Sequence, residues 1–255
     1  LSPEDMTVSF ESLAAPFPSI DLEGIEDLAP LDQRFDRKYV VDNQEAESFF
    51  AMLPQTLLVL EIGGHRSFSY ESWYFDTADL ESFRGTAHRR RRRWKVRTRT
   101  YTDTDTSMVE VKLREQRGQS RKLRLLEDSP SRHSLTTDGA EFVNDALNTG
   151  GFAETLSPTL RTSYERISVV DAETRVRLTA DLNVRCQTVD GKEASVNGVV
   201  IETKSPDGPG PLDRMLWRQG HRPVRLSKYA TGMAATHSGL PGNKWHRTIN
   251  QHFSR

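Results

Sequence analysis

The chain has 255 residues, of which 35% are hydrophobic and 28% charged; this suits one large domain or two small ones with part of the sheet surface polar, and no apolar run approaches the ~20 residues that cross a bilayer as a helix. The net charge of −1 hides an asymmetry, because residues 1–33 hold eight acids and no Lys or Arg, which leaves +7 on the remainder. The single Cys186 excludes an internal disulfide and fits a reducing compartment. With an acidic N-terminus that has no signal-peptide pattern, the expected location is the cytoplasm. Residues 1–33 contain Pro3, Pro16, Pro18 and Pro30 and are expected to form a loosely docked acidic arm, pinned through Phe17, Ile20, Leu22 and Ile25.

The first strand is expected at 34–41, where Arg34, Asp36 and Lys38 alternate with Phe35, Arg37 and Tyr39. A helix follows over Asn43–Leu53, with Asn43 as cap and Phe49, Phe50 and Leu53 as its apolar side. Ser69–Asp76 is a strand with Trp73 and Phe75 on one face, and Thr77–Phe83 a turn or short helix. Two strands, 91–101 and 107–114, flank the polar hairpin loop Thr102–Asp105. The first carries Arg91, Arg93, Lys95, Arg97 and Arg99 on one face and Trp94 and Val96 on the other. The second carries Glu110, Lys112 and Arg114 opposite Val109, Val111 and Leu113. After a turn at Gly118, the strand 121–127 alternates Lys122 and Arg124 with Leu123 and Leu125. Asp138 and Glu141 resemble a capping box before the helix Phe142–Leu147, which Gly150-Gly151 ends. Strands are expected at 161–170, 175–185 and 199–204, with Asp190-Gly191 as a hairpin turn. Leu212–Gln219 is a helix, and the tail after Gly239 is expected to be irregular. The organisation is therefore an arm (1–33), a main domain (34–235) and a tail (236–255).

Five basic side chains in a row repel one another unless an anion lies among them. The same alternation recurs in Tyr164 and Arg166, in Arg175, Arg177, Thr179 and Asp181, and in Glu202 and Lys204. A closed sheet, which gives every strand an inside and an outside, explains all of these together as a charged lumen. The matching ligand is a chain of phosphates, for which Arg supplies bidentate forks and Lys a compact charge. Asp36, Glu110, Asp181 and Glu202 lie on the basic faces, either balancing charge or holding a divalent cation that bridges phosphate oxygens. No His or Cys spacing suits zinc, and no P-loop or G-x-G-x-x-G is present. The run Arg89–Arg93 would suit nucleic acid, but too few aromatics share the basic face to stack bases, so no specific nucleic-acid partner is expected.

RFDRKYVV (34–41), WYFDT (73–77), RRRRWKVRTRTY (90–101), VEVKLRE (109–115), RKLRL (121–125), PTLRTSYER (158–166), RVRLTADLNV (175–184), VIETKS (200–205) and RPVRLSKYATG (222–232) together resemble the VTC domain. This is the polyphosphate polymerase catalytic domain of the triphosphate tunnel metalloenzyme (CYTH-like) superfamily. The resemblance implies an α+β, mainly β fold: an eight-stranded antiparallel closed tunnel barrel with a basic lumen and a few outer helices. It implies that Lys38, Arg97, Arg99, Lys112, Lys122, Arg166, Arg177 and Lys228 grip phosphates, with Lys204 and Arg225 on the same surface and Tyr164 adding a hydrogen bond. Glu202 is the implied metal-holding carboxylate, assisted by Glu110, with Mn2+ or Mg2+ as cofactor. Lys38, Arg97, Arg99, Lys112 and Glu202 are the implied catalytic set. The implied reaction moves the terminal phosphate of ATP, or another nucleoside triphosphate, onto polyphosphate; triphosphate and pyrophosphate are related ligands. Two departures stand out. Arg34 replaces the first carboxylate of the superfamily's E-x-E-x-K, and Arg225 stands where the eukaryotic polymerases have Lys. A tunnel triphosphatase and a non-catalytic polyanion-binding module are the alternatives.

Overall fold

The computed structural model describes residues 13–29, 35–114, 120–127 and 132–254. In chain order these form β1 (Ser19–Ile20), α1 (Leu22–Leu28), β2 (Phe35–Val41), α2 (Asn43–Ala51), β3 (Leu58–Leu60), β4 (Phe68–Asp76), α3 (Glu81–Ala87), β5 (Arg93–Tyr101), β6 (Thr106–Arg114), β7 (Ser120–Glu127), α4 (Thr137–Leu147), β8 (Ser157–Asp171), β9 (Val176–Thr188), β10 (Glu193–Val196), β11 (Val199–Ser205), α5 (Pro211–Arg218), α6 (Lys228–Thr236), α7 (His246–His252) and β12 (Phe253–Ser254). The eight long strands follow the path β2-β11-β9-β8-β4-β5-β6-β7. The pairs β2–β11, β11–β9, β4–β5, β5–β6 and β6–β7 are antiparallel. The architecture is the expected α+β, mainly antiparallel β. Arg34, the turn at Gly118 and much of the acidic arm lie outside the described residues.

The chain divides into two compact units, with β8 and β9 contributing to both. The first comprises Leu1–Phe68, Glu165–Val184 and Val196–Arg225. Here alternation in β2, β9 and β11 sends Tyr39, Val41, Leu178, Ala180, Val199 and Ile201 into a core with Phe49, Phe50 and Leu216. Each large apolar side chain buried in this way stabilises by roughly 1.5–3 kcal/mol. Helix α2 starts at a capping box in which the Asp42 side chain accepts from the Glu45 amide and Glu45 from the Asp42 amide, so the cap is Asp42 and not Asn43. Gly198, at φ +112°, turns the chain into β11 hard against the Val41 carbonyl, where any Cβ would collide. Residues 13–29 are more firmly docked than expected of an arm. β1 pairs in parallel with β3, Phe17 and Ile25 are buried, and Arg66 Nη1 donates to the carbonyls of Ala14 (3.1 Å) and Phe17 (3.0 Å). Leu22, expected as a pin, is exposed.

The second unit comprises Ser69–Tyr164, Arg185–Ser195 and Leu226–Arg255. One layer of its core packs Phe75, Val96, Val109 and Val111 against Val143 of α4. The other packs Tyr74, Phe83, Leu160 and Cys186 against α6 and Trp245. Strand β5 begins at Arg93, so Arg91 lies outside it. Helix α4 is capped by Thr136, whose hydroxyl accepts from the Gly139 amide, in place of the expected Asp138/Glu141 box. It ends at Asn148 in the left-handed conformation rather than at Gly150-Gly151. The segment after Gly239, expected to be irregular, contains α7 and β12, with Trp245 and Ile249 buried. Two buried apolar anchors outside any regular alternation leave little sequence signal, and the neighbouring core orders them.

Candidate functional site

In the first unit the register sets Lys38 opposite Glu202 and Glu202 opposite Thr179. One step along, Asp36 lies opposite Lys204 and Lys204 opposite Arg177. Lys38 Nζ meets Glu202 Oε2 at 2.7 Å, and Lys204 Nζ lies 3.5 Å from Oε1. Lys204 also donates to the Thr179 hydroxyl at 3.3 Å. Arg166 grips Asp181 with a two-pronged contact, Nε–Oδ1 2.5 Å and Nη2–Oδ2 2.8 Å. Burial alone would raise the Glu202 pKa, but Lys204, Lys38 and Arg166 outweigh it and hold the carboxyl well below its ordinary value. Burial pushes the Lys204 ammonium down to about 7, with Glu202 opposing and Arg166 and Lys38 assisting. Arg225 follows Val224, whose amide donates to the Lys38 carbonyl at 2.7 Å.

The opposite face of β2 and β11 explains why these charges hold position. Asp213 of α5 is fully buried and accepts from the Tyr39 hydroxyl (2.7 Å) and the Thr203 hydroxyl (2.6 Å), with Arg37 Nη1 3.6 Å away. Trp217 Nε1 donates to the same Tyr39 oxygen at 3.0 Å. Residues 37, 39 and 203 are thus tied to α5, so 38, 202 and 204 point the other way.

In the second unit Glu110 is the centre. It is 2% exposed, and the register puts Arg97 on one side and Arg124 on the other. Arg97 Nε donates to Oε2 at 2.6 Å, and Lys122 pairs with Oε1. Arg99 Nε is 3.8 Å from Oε2, and Arg124 Nε 3.4 Å from Oε1. Burial would raise the Glu110 pKa, yet Arg97, Arg99 and Lys122 hold it well below the carboxylate range. Burial and the neighbouring guanidiniums lower the pKa of Lys122 against the pull of Glu110. Next to this row, Lys95, Lys112 and Lys122 stand directly opposite one another on three strands. Lys95 Nζ donates to the Ser227 hydroxyl at 2.9 Å.

Aromatic side chains hold the guanidiniums in place. Arg97 Nη1 donates to the Tyr74 hydroxyl (2.9 Å), and Arg99 Nη2 to the Tyr164 hydroxyl (3.1 Å). Tyr164 stacks on Tyr70, and Lys228 Nζ sits 4.3 Å from the Tyr164 ring centroid. Lys228 opens α6, which is anchored by Tyr229. The Tyr229 hydroxyl donates to Asp76, and the same carboxylate receives the amides of Ser82 and Phe83 at the start of α3. Leu80, at the N-terminus of α3, offers no side-chain cap, so Asp76 supplies one from a distance.

The structure therefore gathers Lys38, Glu202, Lys204 and Arg177 in one unit, with Arg166 on Asp181 beside them. It gathers Arg97, Arg99, Glu110 and Lys122 in the other, with Lys112, Tyr164 and Lys228 alongside. Tyr74, not among the expected site residues, touches Arg97. The signal was its parity, since Tyr70, Ser72 and Tyr74 oppose the face of Trp73 and Phe75. Asp213 was missed because its partners are remote in sequence. Among the described residues, no group of three or more His, Cys, Asp and Glu is placed to hold a metal. Each carboxylate instead faces ammonium or guanidinium groups. That donor set fits a divalent cation that shares its coordination with phosphate oxygens, and does not fit one held by protein groups alone. No helix among the described residues is long and apolar enough to cross a membrane.

Antiparallel strands in each unit thus line up basic residues around a carboxylate, Glu202 in the first and Glu110 in the second. The VTC domain model matches residues 33–237, and the chain belongs to that family. Its fold is similar to that of a candidate adenylate cyclase from Bacillus halodurans, at 13% identity over 77% of this chain and 94% of that one, with a TM-score of 0.50. It is similar too to HpAC1 from Hippeastrum, a candidate adenylyl cyclase with a dominant triphosphatase activity. That likeness has 14% identity and a TM-score of 0.50, and covers 83% of this chain and all of the other. No curated protein matches the sequence.

Proposed function

We propose that this chain is a polyphosphate-forming phosphotransferase that moves the terminal phosphate of a nucleoside triphosphate onto a growing phosphate chain. The observation that carries this reading is the surplus of cations. Arg97, Arg99, Lys122 and Arg124 converge on the carboxylate of Glu110, and an excess of positive charge of this kind attracts a polyanion. Phosphoryl transfer asks little covalent chemistry of a protein; positioning and charge neutralisation supply most of the catalysis. The guanidinium forks of Arg97 and Arg99, preset by Tyr74 and Tyr164, bind phosphate oxygens in fixed directions. Lys38 and Lys204 transfer from Glu202 to phosphate as the substrate arrives. The terminal oxygen of the acceptor chain attacks the terminal phosphorus, the bond to the nucleoside diphosphate breaks, and its charge is met by the basic residues.

A divalent cation, Mn2+ or Mg2+, accompanying the phosphates would be held by Glu202 and would supply charge neutralisation. The first unit is the better place for it, since lysines release a carboxylate more readily than guanidinium forks do. Hydrolysis of triphosphate is the second reading, favoured by the triphosphatase activity of HpAC1, which shares the fold. Against it stands Arg34, where the superfamily has a carboxylate. The test is purified protein with ATP and manganese, scored for polyphosphate, ADP and free phosphate. Polyphosphate with ADP supports the polymerase, phosphate without polymer supports the hydrolase, and neither product leaves a binding module.

A further inference from the structure

Four ion pairs of β5, β6 and β7 converge on Glu110, and the basic rows continue past it. Two residues along, Lys95, Lys112 and Lys122 form one row, and two further along Arg93 faces Arg114 across the strand pair. Arg93 Nη1 donates to the Arg90 carbonyl at 2.9 Å. Burial and the like charge of Arg114 lower the Arg93 pKa. Beyond the strand, Arg90, Arg91 and Arg92 are exposed, as is Arg114. Opposed like charges destabilise a sheet unless an anion lies among them. From the Arg99 row to the Arg93 row the strand rises about 20 Å at ~3.4 Å per residue. Three phosphates joined through shared oxygens cover less than half of that.

We infer that Arg93, Arg114 and the run Arg90–Arg92 form a separate outer subsite for a linear polyphosphate longer than triphosphate, so that chain length is read outside the Glu110 cluster. Nucleic acid fits less well, because no exposed aromatic among the described residues shares the row. Trp94, the one aromatic among these arginines, points to the other face and packs edge-on against Phe152 at 5.5 Å. The inference rests on the phosphate-binding reading of the same sheet and adds a preference for length.

The experiment compares triphosphate, polyphosphate of several tens of phosphates and a single-stranded RNA of matched charge. Each is titrated at low and high salt against the wild type, Arg93→Gln/Arg114→Gln and Arg90→Gln/Arg91→Gln/Arg92→Gln. The expected result is wild-type affinity for the long polyphosphate at least tenfold above triphosphate. Both variants should lose most of that advantage and keep triphosphate affinity within twofold. Losing two contacts should also flatten the slope of log affinity against log salt by roughly one to two units. A wild type that binds triphosphate but gains nothing from longer chains overturns the outer subsite alone. Variants that bind long chains as the wild type does overturn it as well. RNA binding as tight as polyphosphate, and equally weakened in the variants, overturns the choice of ligand. A wild type that binds neither triphosphate nor polyphosphate removes the function reading itself.

Discussion

Glu110 and Glu202 each sit mid-strand on a basic face, but their partners differ in kind. Glu110 is met by Arg97, Arg99, Arg124 and Lys122 and is 2% exposed. Glu202 is met by two lysines, Lys38 and Lys204, while nearby Arg166 is committed to Asp181. A guanidinium is planar and offers a rigid fork, here braced further by the Tyr74 and Tyr164 hydroxyls. An ammonium is a point charge on a flexible stem. The first arrangement makes the buried Glu110 the keystone that keeps four cations together. The second holds Glu202 by two flexible ammonium groups, which under the proposed function pass to an arriving phosphate. Similar strand positions thus serve two purposes, and the identity of the cation decides which.

The sharpest way to break this comparison is Glu110→Ala. Removing it leaves the buried Arg99 and the half-buried Arg97 without their carboxylate, which costs on the order of 3–5 kcal/mol. Denaturant unfolding should show the loss, with partial recovery when triphosphate is added. Glu202→Ala should cost clearly less, and equal losses would mean that the two carboxylates are alike. Glu202→Gln keeps the shape and removes the charge. Metal-dependent turnover should fall roughly 10²–10³-fold, while triphosphate affinity, carried by Arg and Lys, persists. Near-normal turnover in this variant would remove Glu202 as the metal-holding residue.

A milder effect is expected from Gly232→Ala in α6. A Cβ there would lie 2.8 Å from both Cys186 Sγ and Leu160 Cδ2, so the helix must shift, at about 1–3 kcal/mol. Since α6 carries Lys228, triphosphate affinity should weaken together with thermal stability. A stabilised protein with intact binding would show that α6 is not packed as described.

The smallest effect concerns protons. Lys204 has its pKa pushed down to about 7 from an ordinary 10.5. Between those values the unfolded chain holds the extra proton, so this group's contribution to stability improves as pH rises through that window. Its destabilising effect is complete below about pH 7 and absent above about 10.5. Bound phosphate favours the charged ammonium, so triphosphate binding at pH 8 should take up a fraction of a proton, approaching one. Calorimetry in buffers of different ionisation enthalpy measures the uptake, and Lys204→Met should reduce it. Unchanged uptake in that variant would assign the proton to another group.

Much of the fold was written in period-two alternation. The odd positions of β5 and the even positions of β6 separate charge from Val96, Val109 and Val111, and no tertiary contact is needed to see it, because a strand's side chains alternate by geometry alone. The basic character of the site follows from the same alternation, which put Asp36, Glu110, Asp181 and Glu202 on the basic faces; the resemblance to the VTC domain singled out Glu110 and Glu202. Register and partnership were not legible. That Arg97 and Arg124 flank Glu110, that Arg166 closes on Asp181, and that Asp213 fastens Tyr39 and Thr203 from α5 are long-range pairings. Helix ends were decided locally but by neighbours of the expected residues, Asp42 for Asn43 and Thr136 for Asp138. Helices α6 and α7 owe their order to burial of Tyr229, Met233, Trp245 and Ile249. Short segments of weak propensity become helices when a core receives their apolar side, and that core exists only once the distant strands have paired.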